Sequence, residues 1–255
     1  MPSSLTRRQF LIRSAGAAAA AGTAGLGVAL LTGSGTAGAY GWTRTLREGS
    51  SGADVRELQI RVAGWAAGSP AKTYVAVDGA FGAGTTAAVR RFQTGYGLTA
   101  DGVVGPATQQ VLNSLESSDG STANFNFAEF TSRDGSGFSG GKVSATQTRE
   151  NVRRLMYKLE AVRRKSGNRA ITVNSGFRSI AHNASVGGAS NSMHLYGVAA
   201  DIVVSGQTTR TTYRVAETCG FSGLEAYTHS WQHVDSRVEY PYGSGSWWWE
   251  SGVVT

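Results

Sequence analysis

Hydrophobic positions first recur at helical spacing. In "SGADVRELQIRVAGW", Val55, Leu58 and Val62, with Gln59 beside them, fall on one face of a predicted helix. "TTAAVRRFQTGYGL" repeats the pattern with Ala88, Val89 and Phe92, and "PATQQVLNSL" predicts a third, shorter helix with Pro106 suited to its first turn. A polar stretch rich in Ser, Asn and Asp follows, and 116–124 reads as a linker. Beyond it the period changes. "SATQTRENVRRLMYKLEAVRRKSG" predicts a long helix with Val152, Leu155, Met156, Leu159 and Val162 on its apolar face. Ser144 or Thr146 would cap that helix, and Gly167 would end it. "AITVNSGFRS" and "GVAADIVVSG" predict strands, "TTYRVAETCGF" a helix, and "GLEAYTHSWQHVDSR" ends in a third strand. This order predicts an all-α block over 42–115 followed by a small α+β domain over 125–255 with a mainly antiparallel sheet.

An internal echo marks the first block. "VDGAFGAGTTAAV" from Val77 and "ADGVVGPATQQVL" from Ala100 both carry Asp-Gly, a second Gly, then Thr ahead of a helix. Asp-Gly makes the turn, and Thr is a candidate helix cap.

Charge and cysteine usage narrow the class. The net charge is +7. Arg7, Arg8 and Arg13 lie in the N-terminal segment, leaving about +4 for the remainder, a mild and dispersed bias that favours an anionic cell envelope over nucleic acid. Cys219 is the single cysteine, so no internal disulfide can form, and its helical setting reads as a small buried hydrophobe. The N-terminal stretch, with paired arginines, an Ala/Gly/Leu segment and Ala37-Gly38-Ala39, resembles a twin-arginine export signal over 1–39. That resemblance implies a secreted protein, exported folded and able to load a metal beforehand, with no stable membrane anchor after cleavage.

The candidate chemistry lies in "NSMHLYGVAADIVV". Asp201 sits between apolar neighbours in a predicted strand, where a carboxylate is costly unless paired, hydrogen-bonded or bound to a cation. His194 precedes it across a turn containing Gly197, and His233 sits near the start of another apolar strand. Two histidines and an aspartate can supply three ligands to a tetrahedral Zn2+ and leave a fourth position for water. A mixed His/Asp set with an open position favours zinc over magnesium or calcium. Each residue alone has an ordinary structural reading; the pattern around them carries the argument.

That pattern resembles the zinc D-Ala-D-Ala carboxypeptidases and related peptidoglycan metallopeptidases. The matching residues are "SGFRS", "VGGASNSMHLYGVAADI" with the preceding Asn183, and "HVD". The core of the likeness is Ser192, His194, Gly197, Ala199 and Asp201. The resemblance implies metal ligands at His194, Asp201 and His233, and an arginine at Arg178 that binds the substrate's carboxylate or scissile carbonyl. The family's usual acidic base position holds Ser230, so the base stays open among His229, Glu225 and Asp235, with His229 favoured because an imidazole suits proton transfer near neutral pH. His182 reads as a loop residue. On a strand, Asp235 shares a face with His233, which also makes it a candidate orienter of that ligand. The first block, through Leu58-Gln59, Asp78-Gly79, Phe81-Gly82, Phe92-Gln93 and Asp101-Gly102, resembles the three-helix peptidoglycan-binding domain appended to wall hydrolases.

Two further motifs are weighed. "SGGK" at 139–142 has a Ser-x-x-Lys form but lies among glycines with no Lys-Thr-Gly partner, and it is set aside. The tryptophans of "SWWWES" read as core or edge packing. The expected protein is thus a secreted, wall-associated, monomeric zinc peptidase acting on peptidoglycan stem peptides, most simply as a D-Ala-D-Ala carboxypeptidase. The alternatives are an endopeptidase of the same fold and a non-catalytic wall-binding protein with a structural zinc.

Overall fold

The computed structural model describes residues 39–226, 231–242, 245 and 247–248. The export-signal reading of 1–39, except its last residue, and the candidate base His229 lie outside the described residues.

The first block carries α1 (Ala53–Arg61), a 3-10 turn (Ala63–Trp65), α2 (Ala83–Gly95) and α3 (Pro106–Ser114). The sequence echo is a repeated hydrogen-bond clamp. Gln59 Nε2 donates to Asp78 Oδ1 (2.8 Å), the Ala80 carbonyl (3.0 Å) and Thr85 Oγ1 (3.2 Å), while Gly79 N–H donates back to Gln59 Oε1 (2.8 Å). Gln93 repeats this with Asp101 (2.8 Å), Val103 (3.0 Å), Thr108 (3.2 Å) and Gly102 (2.9 Å). The two threonines are therefore not helix caps. The N-caps are Gly82 and Gly105, which offer no side chain, and the threonine hydroxyls accept the glutamine amides instead. Each Asp-Gly turn is needed because Gly79 and Gly102 adopt φ of 78° and 80°.

The second block begins after a closed turn. Segment 116–124 is not a solvated linker: Glu116 pairs with Thr122 in a β-bridge, Ser121 and Thr122 are buried, and Asn124 N–H donates to Glu160 (2.8 Å). α4 (Ala145–Lys165) follows, capped by Ser144, whose hydroxyl accepts from Gln147 N–H (3.2 Å). Then come β1 (Ile171–Ser175), α5 (Ile180–Ser185), a 3-10 turn (Met193–Tyr196), β2 (Ala199–Val204), α6 (Thr209–Ala216), β3 (Gly223–Ala226) and β4 (Gln232–Asp235). The sheet order is β1-β2-β4-β3, every pair antiparallel.

Period-2 alternation divides the sheet. Ala200, Val234 and Leu224 lie opposite one another across β2, β4 and β3, are fully buried, and face α4 and α6. The next row, Asp201, His233 and Glu225, projects from the opposite face. A continuous apolar core runs from Leu46, Leu58 and Phe92 in the first block to Leu155, Ile202 and Val234 in the second. The described residues fall within one compact unit. Gly64 sits so close to Ala161 and the Lys158 backbone that a side chain there would collide. Arg153 of α4 grips both oxygens of Glu57 (3.0 and 2.9 Å), and the buried Arg61 joins Glu57 (2.7 Å) to Glu116 (2.6 Å).

Candidate metal centre

The turn before β2 and the middle of β4 bring the predicted ligands together. His194 Nε2 lies 3.4 Å from Asp201 Oδ1, and His233 Nδ1 lies 2.9 Å from the same oxygen. The imidazole centroids are 5.1 Å apart. One ligand atom from each of the three residues lies within 4.8 Å of the others. All three side chains are buried.

The local sequence explains how each group is aimed. Gly197 closes the 3-10 turn at φ 72°, and a side chain there would collide with the Thr148 methyl and carbonyl oxygen, so glycine is needed for the turn that presents His194. His194 Nδ1 donates to the Gly176 carbonyl (2.6 Å), which leaves the Nε2 lone pair toward Asp201. His233 Nε2 contacts Asp235 Oδ2 (3.1 Å), which leaves Nδ1 on the Asp201 side. Asp235 is fully buried and accepts from Arg237 N–H (3.0 Å) and Arg237 Nε (3.0 Å). Gly223 lies directly across from it, and any side chain there would occupy the space of the Asp235 carboxylate.

Electrostatics follow from this crowding. Burial alone would raise the Asp201 carboxyl, but hydrogen bonds and charge from His194 and His233 hold it far below the usual carboxylate range. Burial holds the His194 imidazole below its ordinary value, against the pull of Asp201. Burial also opposes charge on His233, but Asp201 and Asp235 outweigh it and push that imidazole up to about 9. Asp235 is held low by His233 and Arg237 in spite of its burial. Two carboxylates thus concentrate negative charge around two imidazoles, a donor set that fits a divalent ion with N/O preference.

The cleft over this cluster has a volume of about 500 Å³ and is lined by Arg178, His194, Asp201, Glu225, His233 and Arg237, among others. Arg178 Nη2 donates to Asp201 Oδ2 (2.8 Å) and its Nε to Ser175 Oγ (2.8 Å). Of the three base candidates, Glu225 lines the cleft, Asp235 is buried behind His233 rather than lining it, and His229 lies outside the described residues. His182 lies on α5 rather than in a loop and is not among the cleft residues, while the adjacent Asn183 is buried and donates to the Ala189 carbonyl (3.0 Å). Sequence reasoning missed Arg237. Its position two residues after Asp235 was the available signal, since i and i+2 share a strand face, but β4 ends at Asp235 and a 3-10 turn redirects the chain. Trp248 donates from its indole to the Phe221 carbonyl (3.2 Å) and packs against the core, and Trp247 lies beside Tyr74.

Residues 123–235 match the family described as peptidase M15, and residues 51–112 match a peptidoglycan binding domain. A zinc D-Ala-D-Ala carboxypeptidase of Streptomyces albus G is 49% identical over 187 residues, 73% of this chain and 72% of that protein. The chain belongs to the peptidase M15 family. Its first block has relatives of its own outside the peptidase. A spore cortex-lytic enzyme of Bacillus cereus is 42% identical over 83 residues, 32% of this M15 chain and 29% of the enzyme. The solved N-terminal domain of SleB is 42% identical, covering 27% of this chain and 88% of its own, at a TM-score of 0.23.

Proposed function

We propose that this M15 chain is a zinc-dependent D-Ala-D-Ala carboxypeptidase that trims peptidoglycan stem peptides at the bacterial wall. The observation that carries the reading is the convergence of His194 Nε2, Asp201 and His233 Nδ1 beneath a cleft that also holds Arg178. These three residues would hold the zinc, which when bound polarises the scissile carbonyl and acidifies a water molecule.

The rest is done by the chain's own groups. Arg178 is braced by Ser175 and Asp201, so its guanidinium enters the cleft in a fixed plane. A carboxypeptidase must recognise a free C-terminal carboxylate, and a planar guanidinium does so bidentately or stabilises the developing oxyanion. Asp235 keeps the proton of His233 on Nε2. Glu225, beside His233 in the strand register and in the cleft wall, takes the proton from the attacking water and returns it to the leaving amine. His229 is the competing base. Three helices in the first block would form the wall-binding fold, and the protein would work as a secreted, wall-associated monomer.

Defined stem peptides with free and amidated C-termini test the assignment. Turnover of the free peptide alone, abolished by chelator and restored by zinc, is the expected result. Equal cleavage of the amidated peptide would make the chain an endopeptidase. Zinc bound with no turnover of either would leave a wall-binding protein with a structural ion.

A further inference from the structure

The chain beyond β4 returns to the metal cleft. A 3-10 turn, Arg237–Glu239, redirects it, and the buried Lys158 of α4 holds that turn through an ion pair with Glu239. Lys158 also donates to Ser236 Oγ (2.8 Å) and the Gly220 carbonyl (2.8 Å). Pro241 then fixes the backbone ahead of Tyr242. Tyr242 lines the same cleft as Arg178, His194 and His233.

Its ring is held in place. It stacks on Tyr196 with centroids 4.6 Å apart and planes 8° apart, and on Tyr240 at 5.3 Å and 13°. Tyr196 ends the 3-10 turn that presents His194, and its carbonyl accepts from Asn151 Nδ2 of α4 (2.8 Å). Helix α4 therefore anchors both sides of the stack: the Tyr196 turn through Asn151, and the Tyr240–Tyr242 segment through Lys158. The three rings are only half-buried, and the small cluster they cover, Met193, Val198 and Ala199, is separate from the main core. A fixed aromatic ring in a cleft wall offers contact area at little cost in conformational entropy.

The surrounding groups define what meets that ring. Arg178 N–H donates to the His194 carbonyl (3.1 Å), so Arg178 and Tyr242 are both fastened to the one turn. Gly187, Gly188 and Ala189 also line the cleft. A side chain at Gly188 would collide with the Asn183 amide, and Gly188 N–H donates to the Asn183 carbonyl (2.8 Å), which ties this small-residue loop down.

We propose that Tyr242 is a specificity-determining residue: its stacked ring limits the C-terminal side chain of the substrate peptide to about the size of a methyl group. The residue whose carboxylate Arg178 holds turns its side chain toward this ring. The proposal rests on the carboxypeptidase reading for the substrate's identity and adds the group that selects alanine over larger residues.

The test titrates the zinc-loaded full chain calorimetrically with reduced-amide analogues of acetyl-D-Ala-D-Ala and acetyl-D-Ala-D-Leu, whose CH2–NH linkage cannot be hydrolysed. Wild type, Tyr242→Phe and Tyr242→Ala are compared, with zinc content and melting curves taken for each. The wild type should prefer the D-Ala analogue by about tenfold or more, and Tyr242→Phe should keep that preference. Tyr242→Ala should bring the ratio to within about twofold, chiefly by tightening the D-Leu analogue. If Tyr242→Ala does not fold, Tyr242→Leu, which shortens the wall but stays apolar, carries the same expectation. No preference in the wild type, or an unchanged ratio in the shortened variant, would overturn the proposal. A preference lost equally in Tyr242→Phe would also overturn it, by moving the selection from the ring to the hydroxyl. Turnover of the unmodified peptides is assayed separately. Its absence in the wild type would remove the peptidase reading, while the binding ratio would still decide the role of Tyr242.

Discussion

Replacing Asp235 with asparagine isolates the contact that holds His233 in its working tautomer. The carboxylate is fully buried and lies 3.1 Å from His233 Nε2 and 3.0 Å from both Arg237 N and Arg237 Nε. Asparagine keeps the shape but removes the charge and exchanges one acceptor for a donor. Breaking a buried pair costs about 3–5 kcal/mol, and because Arg237 retains 17% side-chain exposure and can regain water, the lower end applies, about 3 kcal/mol. For a body of this size that is a fall of about 6–12 °C in melting temperature. Loss of a residue that orients a metal ligand typically costs about 10–100-fold in metal affinity. The assay is a zinc titration against a competing chelator, paired with a thermal melt of the metal-free protein. Turnover at saturating zinc should fall far less than affinity does, because Asp235 does not line the cleft. A variant that melts lower but binds zinc as tightly as the wild type would refute the orienting role and leave Asp235 a purely structural anion.

Other substitutions probe separate links. Arg178→Ala should lower kcat/KM on a free-carboxyl peptide by about 10²–10³-fold; an unchanged value would remove it from the chemistry. Glu225→Gln should depress kcat with zinc content unchanged, and if instead His229→Ala does so, the base is the histidine. Gln93→Leu should destabilise the protein by about 1–3 kcal/mol in a denaturant melt, since it strands the Gly102 N–H, and Gln59→Leu should match it through Gly79. Asp134 accepts from Ser136 Oγ (2.6 Å) and from Ser179, and these bonds hold its carboxyl below its ordinary value of 3.8. A depressed folded value means its stabilisation is present above about pH 3.8 and lost as acid protonates it, so Asp134→Asn should lower stability at neutral pH, flatten the acid limb of the pH–stability curve, and converge with the wild type at low pH.

Much of the fold was legible because period and punctuation agreed. Val152, Leu155, Met156, Leu159 and Val162 are all buried on α4, with Ser144 capping it and Gly167 following it in the left-handed region. The metal trio was legible because a carboxylate in an apolar strand demands a partner, and the two histidines stood at the right strand and turn. Three things were not legible. Tyr157, Lys158 and Glu160 are buried on the polar side of α4, because Arg61 of the first block covers Tyr157, Lys158 donates to Gly220 and Ser236 of the second block, and Glu160 accepts from Asn124, on faces that the sequence pattern marks as solvated. Strand β3 was not read, only the strand that ends the segment, since a four-residue strand with Gly223 and Glu225 in it carries little alternation. Helix α5 spans six residues, too short for a periodic signal.

The shared core has a consequence for how such proteins diversify. Wall-binding segments are commonly pictured as interchangeable cassettes strung beside a catalytic body. Here a transplanted segment would have to reproduce the snug fit of Gly64 on Ala161 and the Glu57–Arg153 clasp. Otherwise it would leave Tyr157 and Val162 facing water. A chimera made by splicing at the 116–124 turn should therefore fail first in solubility rather than in catalysis, and successful exchange would require α4 to be inherited together with the segment that covers it.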